Sequence, residues 1–169
     1  MKDKIAKTCV QMLRTRSMDE ITVCDVAKQC GISRQAFYYY FENIESALLY
    51  AAEGMLDYLR QKCTEIREPD EAIRFLTRSY RDQYDLLRNL IQSKSHLRIK
   101  RHYRDSLYSI VNAQLAWYMR DAEPEELEIR AAFIAYGLGG LLYERCSDPE
   151  LDTDKLADEI YRYIFKNGR

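Results

Sequence analysis

Residues 21–41 read Ile21-Thr22-Val23-Cys24-Asp25-Val26-Ala27-Lys28-Gln29-Cys30-Gly31-Ile32-Ser33-Arg34-Gln35-Ala36-Phe37-Tyr38-Tyr39-Tyr40-Phe41, two short helical patterns on either side of one glycine. Thr22 followed three residues later by Asp25 forms a capping-box pattern with the shorter carboxylate, and it opens the first helix. Gly31 supplies the left-handed position that ends a helix sharply, and Ser33 caps the second. A short helix, a tight turn and a second short helix make a helix-turn-helix, whose second helix is built to enter a DNA major groove.

Val26, Ala27, Ile32, Phe37 and Phe41 supply the packing of this unit. With the two phenylalanines pointing inward, Arg34, Gln35, Tyr38 and Tyr39 face outward, because a helix turns about 100° per residue and three successive tyrosines cannot all be core. Tyr40 is the one expected to be partly buried. Arginine can donate twice to guanine and glutamine can pair with adenine, while tyrosine hydroxyls reach phosphates. Residues 1–41 carry seven basic side chains against four acidic ones, a charge of +3 on a chain of net −1. The rest is therefore about −4, and the asymmetry has the sign that phosphate binding favours.

Outward from this segment the chain is helical. Its 169 residues are 47% hydrophobic and 31% charged, enough for a packed core, and only 6 glycines and 3 prolines argue against a turn-rich sheet fold. Apolar residues recur at helical spacing over 43–67 and again from Ile73 to Ile91, the latter as one helix or as two broken near Arg81-Asp82. Further helices are expected from near Leu97 to Met119, from Pro124 to about Cys146, and after Thr153, which is placed to cap the last. The third has a basic start in Arg98, Lys100, Arg101, His102 and Arg104, opposing the helix dipole.

Several functions are disfavoured. The longest apolar run, Ala131–Tyr143, has 13 residues, short of the roughly 20 that span a bilayer, and the first residues do not look like a signal peptide; a cytoplasmic address is expected. Cys9, Cys24, Cys30, Cys63 and Cys146 have irregular spacing and read as reduced, mostly buried thiols. Gly137-x-Gly139-Gly140 lacks the strand that a nucleotide loop needs, so its small residues are read as a close helix approach. His96 and His102, six apart, share no helix face. No metal, cofactor or catalytic set is expected, and the chain is read as no enzyme.

Ile21-Thr22-Val23, Asp25-Val26-Ala27, Gly31-Ile32-Ser33 and Phe37-Tyr38-Tyr39-Tyr40-Phe41 with Asn43 resemble, in order, the amino-terminal domain of the TetR family of transcriptional regulators. The resemblance implies an all-α chain of about nine helices: a three-helix DNA-binding domain over residues 1–47, then a helical ligand-binding and dimerisation domain over 48–169. Residues 133–142 are loosely similar to a TetR branch that includes regulators of dihydroxyacetone kinase operons. Many family members carry a lysine, used on phosphate, at the position of Ile44; here that charge is gone, and Glu42 adds a negative one. Cys24 stands where some members use arginine, and Ala36 lacks a threonine hydroxyl.

The resemblance implies a homodimeric regulator, a repressor released by a small effector, on a palindromic DNA operator. Arg34 and Gln35 are the expected base readers. Thr22, Lys28, Ser33, Tyr38, Tyr39, Tyr40 and Asn43 are expected on phosphates and groove walls. Tyr80, Tyr84, Tyr103, Tyr108, Trp117 and Tyr136 are candidates for an effector pocket suited to an apolar or aromatic molecule. Ile134, Leu138, Leu141, Leu142, Leu156, Ile160 and Ile164 are candidates for the dimer interface. The alternatives are an activator, a family member that senses a ligand or partner with weak or lost DNA binding, and a helical-bundle enzyme, for which no residues stand out.

Overall fold

The computed structural model describes residues 1–93 and 97–166, without the side chains of Ile91, Leu97, Ile99 and Lys100. The expectations placed on His96 and on the Ile91 and Lys100 side chains thus lie outside the described residues. The described residues hold nine α-helices and no strand. By internal contacts the chain divides into one unit of residues 1–56 and 85–102 and a second of 57–84 and 103–169.

In the first unit, α1 (Lys2–Leu13) buries Ile5, Ala6, Cys9, Met12 and Leu13, the spacing of a single apolar stripe. A 3-10 turn at Met18–Glu20 leads to α2 (Val23–Cys30). Both halves of the capping box form: Asp25 N donates to Thr22 Oγ1 at 3.2 Å and Thr22 N to Asp25 Oδ2 at 3.2 Å. Gly31 ends α2 at φ 67°, ψ 37°, and Ser33 Oγ accepts from Ala36 N at 3.0 Å to open α3 (Arg34–Tyr40). Lys4 Nζ donates to Cys30 O at 3.0 Å, placing a cation on the carbonyl end of α2, where the helix dipole is negative.

Phe41 is already extended, at φ −142°, ψ 138°, yet stays buried. Asn43 and Ser46 then exchange backbone-to-side-chain bonds of 2.8 and 3.1 Å, a reciprocal cap at the start of α4 (Ile44–Glu65). The unit also takes in most of α6 (Tyr84–Ile91), which contributes buried Leu86, Leu87 and Leu90. Asn89 Nδ2 donates to Leu13 O at 2.8 Å, satisfying a carbonyl at the end of α1 that the helix leaves open.

In the second unit, α5 (Pro69–Asp82) and α8 (Pro124–Arg145) both start on proline, where the missing N–H costs nothing. The apolar period after Pro69 resolves into two helices, with Gln83 between α5 and α6. The other long helix, α7 (Leu97–Tyr118), enters this unit at Tyr103. Its Gln114 Nε2 donates to Cys63 O and, at 3.3 Å, to Ile66 O, covering the open carbonyls at the end of α4. Arg81 does the same for the end of α8, through Cys146 O and Pro149 O. The cap of α9 (Thr153–Tyr161) is Asp152, whose carboxylate accepts from Asp154 N and Lys155 N at 3.0 Å; Thr153 is the first helical residue and not the cap. Arg78 grips Asp154 with two bonds of 3.0 and 2.7 Å, and Arg74 pairs with Asp158, fastening α5 to α9. A π-helical turn at Arg162–Lys166 follows.

Candidate nucleic-acid interface

The outward face of α3 is fixed by what lies behind it. Phe37 is 0% exposed, with its ring centroid 6.2 Å from that of buried Phe41, so the residues on the other faces of the helix are turned to the surface. Arg34, Gln35 and Tyr38 are exposed, and Tyr39 is 83% exposed. Tyr38 stands edge-on to Phe37, with centroids 5.7 Å apart, and Tyr40, half-buried, stands edge-on to Tyr39 at 5.0 Å. The aromatic run thus divides into one buried anchor, two exposed rings and one ring bracing them. The Tyr38 phenol beside Arg34 pushes the guanidinium above its already high range, so it stays a cation under all working conditions.

Among the expected backbone contacts, Lys28 and Ser33 are exposed on the same turn. Ser33 Oγ accepts the bond from Ala36 N and can still donate its own proton. Thr22 and Asn43 are exposed but largely occupied. Thr22 Oγ1 donates to Asp25 Oδ2 at 2.8 Å as well as accepting, while Asn43 Oδ1 is committed to Ser46, leaving its amide NH₂ as the donor. The Thr22 hydroxyl and backbone hold the Asp25 carboxyl below its usual range, with Arg16 at 3.8 Å adding to the effect. Cys24 is exposed; the other four cysteines are buried.

A further group adjoins the corner between α3 and α4. Lys2 Nζ lies 4.4 Å from the Tyr50 ring centroid and 5.6 Å from that of Phe41, while Tyr50 OH donates to Asp3 Oδ1 at 2.8 Å. Nothing in the local sequence indicates this meeting, because it joins positions nearly fifty residues apart.

In the second unit the aromatic candidates separate. Tyr80 is 5% exposed, and its hydroxyl has no hydrogen-bond partner among the described residues. Its ring meets Tyr103 at 6.3 Å, and Tyr84 meets Tyr143 at 6.2 Å. Burial pushes the Tyr80 and Tyr103 phenols well above their ordinary range, so both remain protonated donors. Tyr108 is half-buried, whereas Trp117 and Tyr136 are exposed. A cavity of 40 Å³ among Ala72, Ile73, Leu76, Ile110, Leu115 and Leu138 is lined by none of these six aromatics.

A groove of 380 Å³ runs between α8 and α9, lined by Phe133, Leu138, Leu141, Ile160, Tyr163 and Ile164 among others. Of the dimer candidates, Leu138, Leu142, Leu156 and Ile160 are buried within their own chain, Leu142 to 1% exposure. Ile134 and Ile164 are half-buried and Leu141 is exposed. The exposed row is Ile129, Phe133, Tyr136 and Leu141 with Tyr163, of which only Leu141 was expected; α8 is apolar nearly all round, so its period does not say which side is outermost. Among the described residues no three His, Cys, Asp or Glu side chains converge as a metal site, and no helix is long and apolar enough to cross a membrane.

Residues 5–51 match the tetR family of bacterial regulatory proteins. An HTH-type transcriptional regulator of Bacillus subtilis, YerO, is 33% identical over 67 residues, 40% of this chain and 23% of that protein. The regulator EthR of Mycolicibacterium smegmatis is 47% identical over 52 residues, 31% of this chain and 24% of that protein. The matched segments thus span less than a quarter of either relative. Over the full fold, the dihydroxyacetone kinase operon activator DhaS superposes with a TM-score of 0.75 at 15% identity, covering 98% of this chain and 94% of that one. The repressor FadR of Thermus thermophilus, solved with lauroyl-CoA, gives 0.73 at 18% identity, covering 100% and 95%. Residues 5–51 thus match the amino-terminal domain of the tetR family of bacterial regulatory proteins, and the chain as a whole has the all-helical fold of solved regulators such as DhaS and FadR.

Proposed function

We propose that the chain is a homodimeric DNA-binding transcriptional regulator, a repressor released by a small effector. The observation that carries this reading is the exposed Arg34, Gln35, Tyr38 and Tyr39 surface held out by fully buried Phe37. Arg34 and Gln35 read base edges; Lys28, Ser33, Tyr38 and Tyr39 hold phosphates, with Tyr40 bracing Tyr39. Thr22 and Asn43 act chiefly by fixing the helix starts that aim these groups. The division of labour follows residues 1–47 for DNA and 48–169 for effector and partner.

Two copies pair through α8 and α9, where Ile129, Phe133, Tyr136, Leu141 and Tyr163 form an exposed apolar surface that a second copy covers. The pair presents its two α3 helices about 34 Å apart, one turn of the duplex. The effector is apolar or aromatic with at least one hydrogen-bond acceptor. The partnerless Tyr80 hydroxyl supports this, since a buried donor without a partner costs free energy that a ligand oxygen relieves. The 40 Å³ cavity is far below the roughly 300 Å³ of a ligand pocket, so an effector seated there requires the core around it to open, a shift between two states.

Selection of genomic fragments bound by the purified protein tests this reading. It returns a palindrome whose binding weakens steeply with salt; recovery of no enriched sequence refutes it. A second reading, a sensor with little DNA binding, is favoured by Ile44, buried where many family members carry a phosphate-binding lysine, and by exposed Glu42 beside it.

A further inference from the structure

Between Arg34 and Arg60 the sequence holds no lysine or arginine, while Glu42, Glu45, Glu53 and Asp57 are acidic. The α3–α4 corner, which follows directly on the recognition helix, is therefore negative in its own sequence and would repel a phosphate backbone. The structure brings one cation to it from elsewhere in the chain. Lys2 Nζ rests over the Tyr50 ring at 4.4 Å and near the Phe41 ring at 5.6 Å, one residue position before Glu42 and three before Ile44.

We propose that Lys2 is a DNA phosphate contact that supplies, from the first turn of α1, the positive charge that the corner's own sequence lacks. This rests on the DNA-binding reading above. Lys2 is exposed, so its ammonium keeps donors free for a ligand while the ring faces hold its stem and charge in place. Its neighbour Asp3 is engaged by the Tyr50 hydroxyl, which leaves that carboxylate tied to the same ring that positions the lysine. The other lysine of this turn, Lys4, is already committed to Cys30 O.

The test uses the full-length protein and a duplex recovered with it by genomic selection, with affinity measured from 50 to 200 mM salt. Lys2→Gln weakens binding to specific and mixed-sequence duplexes alike, and lowers the slope of log affinity against log salt by about 1.8 per dimer, one phosphate per protomer. Its deficit therefore shrinks about tenfold over that salt range. Lys2→Arg keeps the unaltered slope. A Lys2→Gln slope equal to that of the unaltered protein, or a loss confined to particular base pairs, overturns the inference while leaving the regulator reading standing. Failure of the unaltered protein to bind any duplex refutes both.

Discussion

Replacing Gly31 and Gly54 separately by alanine isolates what the turn of the reading head demands. Both lie in the first unit, and at both a side-chain carbon meets nothing within 4 Å, so packing contributes to neither change. They differ in backbone. Gly31 sits at φ 67°, ψ 37°, where an L side chain costs about 1–2 kcal/mol, while alanine returns about 0.4–1 kcal/mol by restricting the unfolded chain. Gly31→Ala therefore destabilises by about 1 kcal/mol. Gly54 is an exposed interior residue of α4, where alanine gains about 0.8–1.0 kcal/mol in helix propensity, so Gly54→Ala stabilises. Urea unfolding at fixed protomer concentration, followed by circular dichroism at 222 nm, should separate the two variants by about 2 kcal/mol in opposite directions from the unaltered protein. A Gly31→Ala chain as stable as Gly54→Ala would refute a left-handed cap between α2 and α3.

Phe37→Ala, at a fully buried ring, costs about 3–5 kcal/mol and abolishes DNA binding together with the cooperative unfolding of the head, as read by thermal melting with and without duplex. Arg34→Ala relaxes base preference at one position in each half-site by about 1–3 kcal/mol, whereas Lys28→Ala weakens all sequences alike, as measured by competition binding. A disulfide reagent at pH 8 labels Cys24 fast and the four buried cysteines only on unfolding. Burial pushes the Cys9 and Cys63 thiols up to about 12 from 9.0. Because the folded state holds these protons and the unfolded state releases them above pH 9, their contribution is intact below pH 9 and lost as pH climbs toward 12. The free energy of unfolding should fall by about 1.4 kcal/mol per thiol between pH 8 and 10, and this fall should vanish in the double variant Cys9→Ala, Cys63→Ala.

The helix-turn-helix was legible because its signals are local. Thr22 and Asp25 lie one turn apart, Gly31 is set by its own φ, and Phe37 dictates by angle alone where Arg34, Gln35, Tyr38 and Tyr39 must point. Thr153 misled because Asp152 beside it is an equally good cap, and its carboxylate accepts two backbone bonds where a hydroxyl usually takes one. The apolar surface of α8 was not legible for a related reason: with Leu138 and Leu142 on one side and Phe133 and Tyr136 on another, no polar face marks the outside. The Lys2, Tyr50 and Asp3 contact, like the Arg78 grip on Asp154, depends on which helices pack together, and no spacing along the chain encodes it.

Interference by guanine methylation on the selected duplex tests most directly that the outward face of α3 reads the major groove. Methyl groups at guanine N7 should block binding in two clusters centred about one helical turn, ~34 Å, apart, and one guanine in each cluster should cease to matter in Arg34→Ala. No interference by N7 methylation anywhere in the duplex, or a pattern unchanged by Arg34→Ala, would contradict the account.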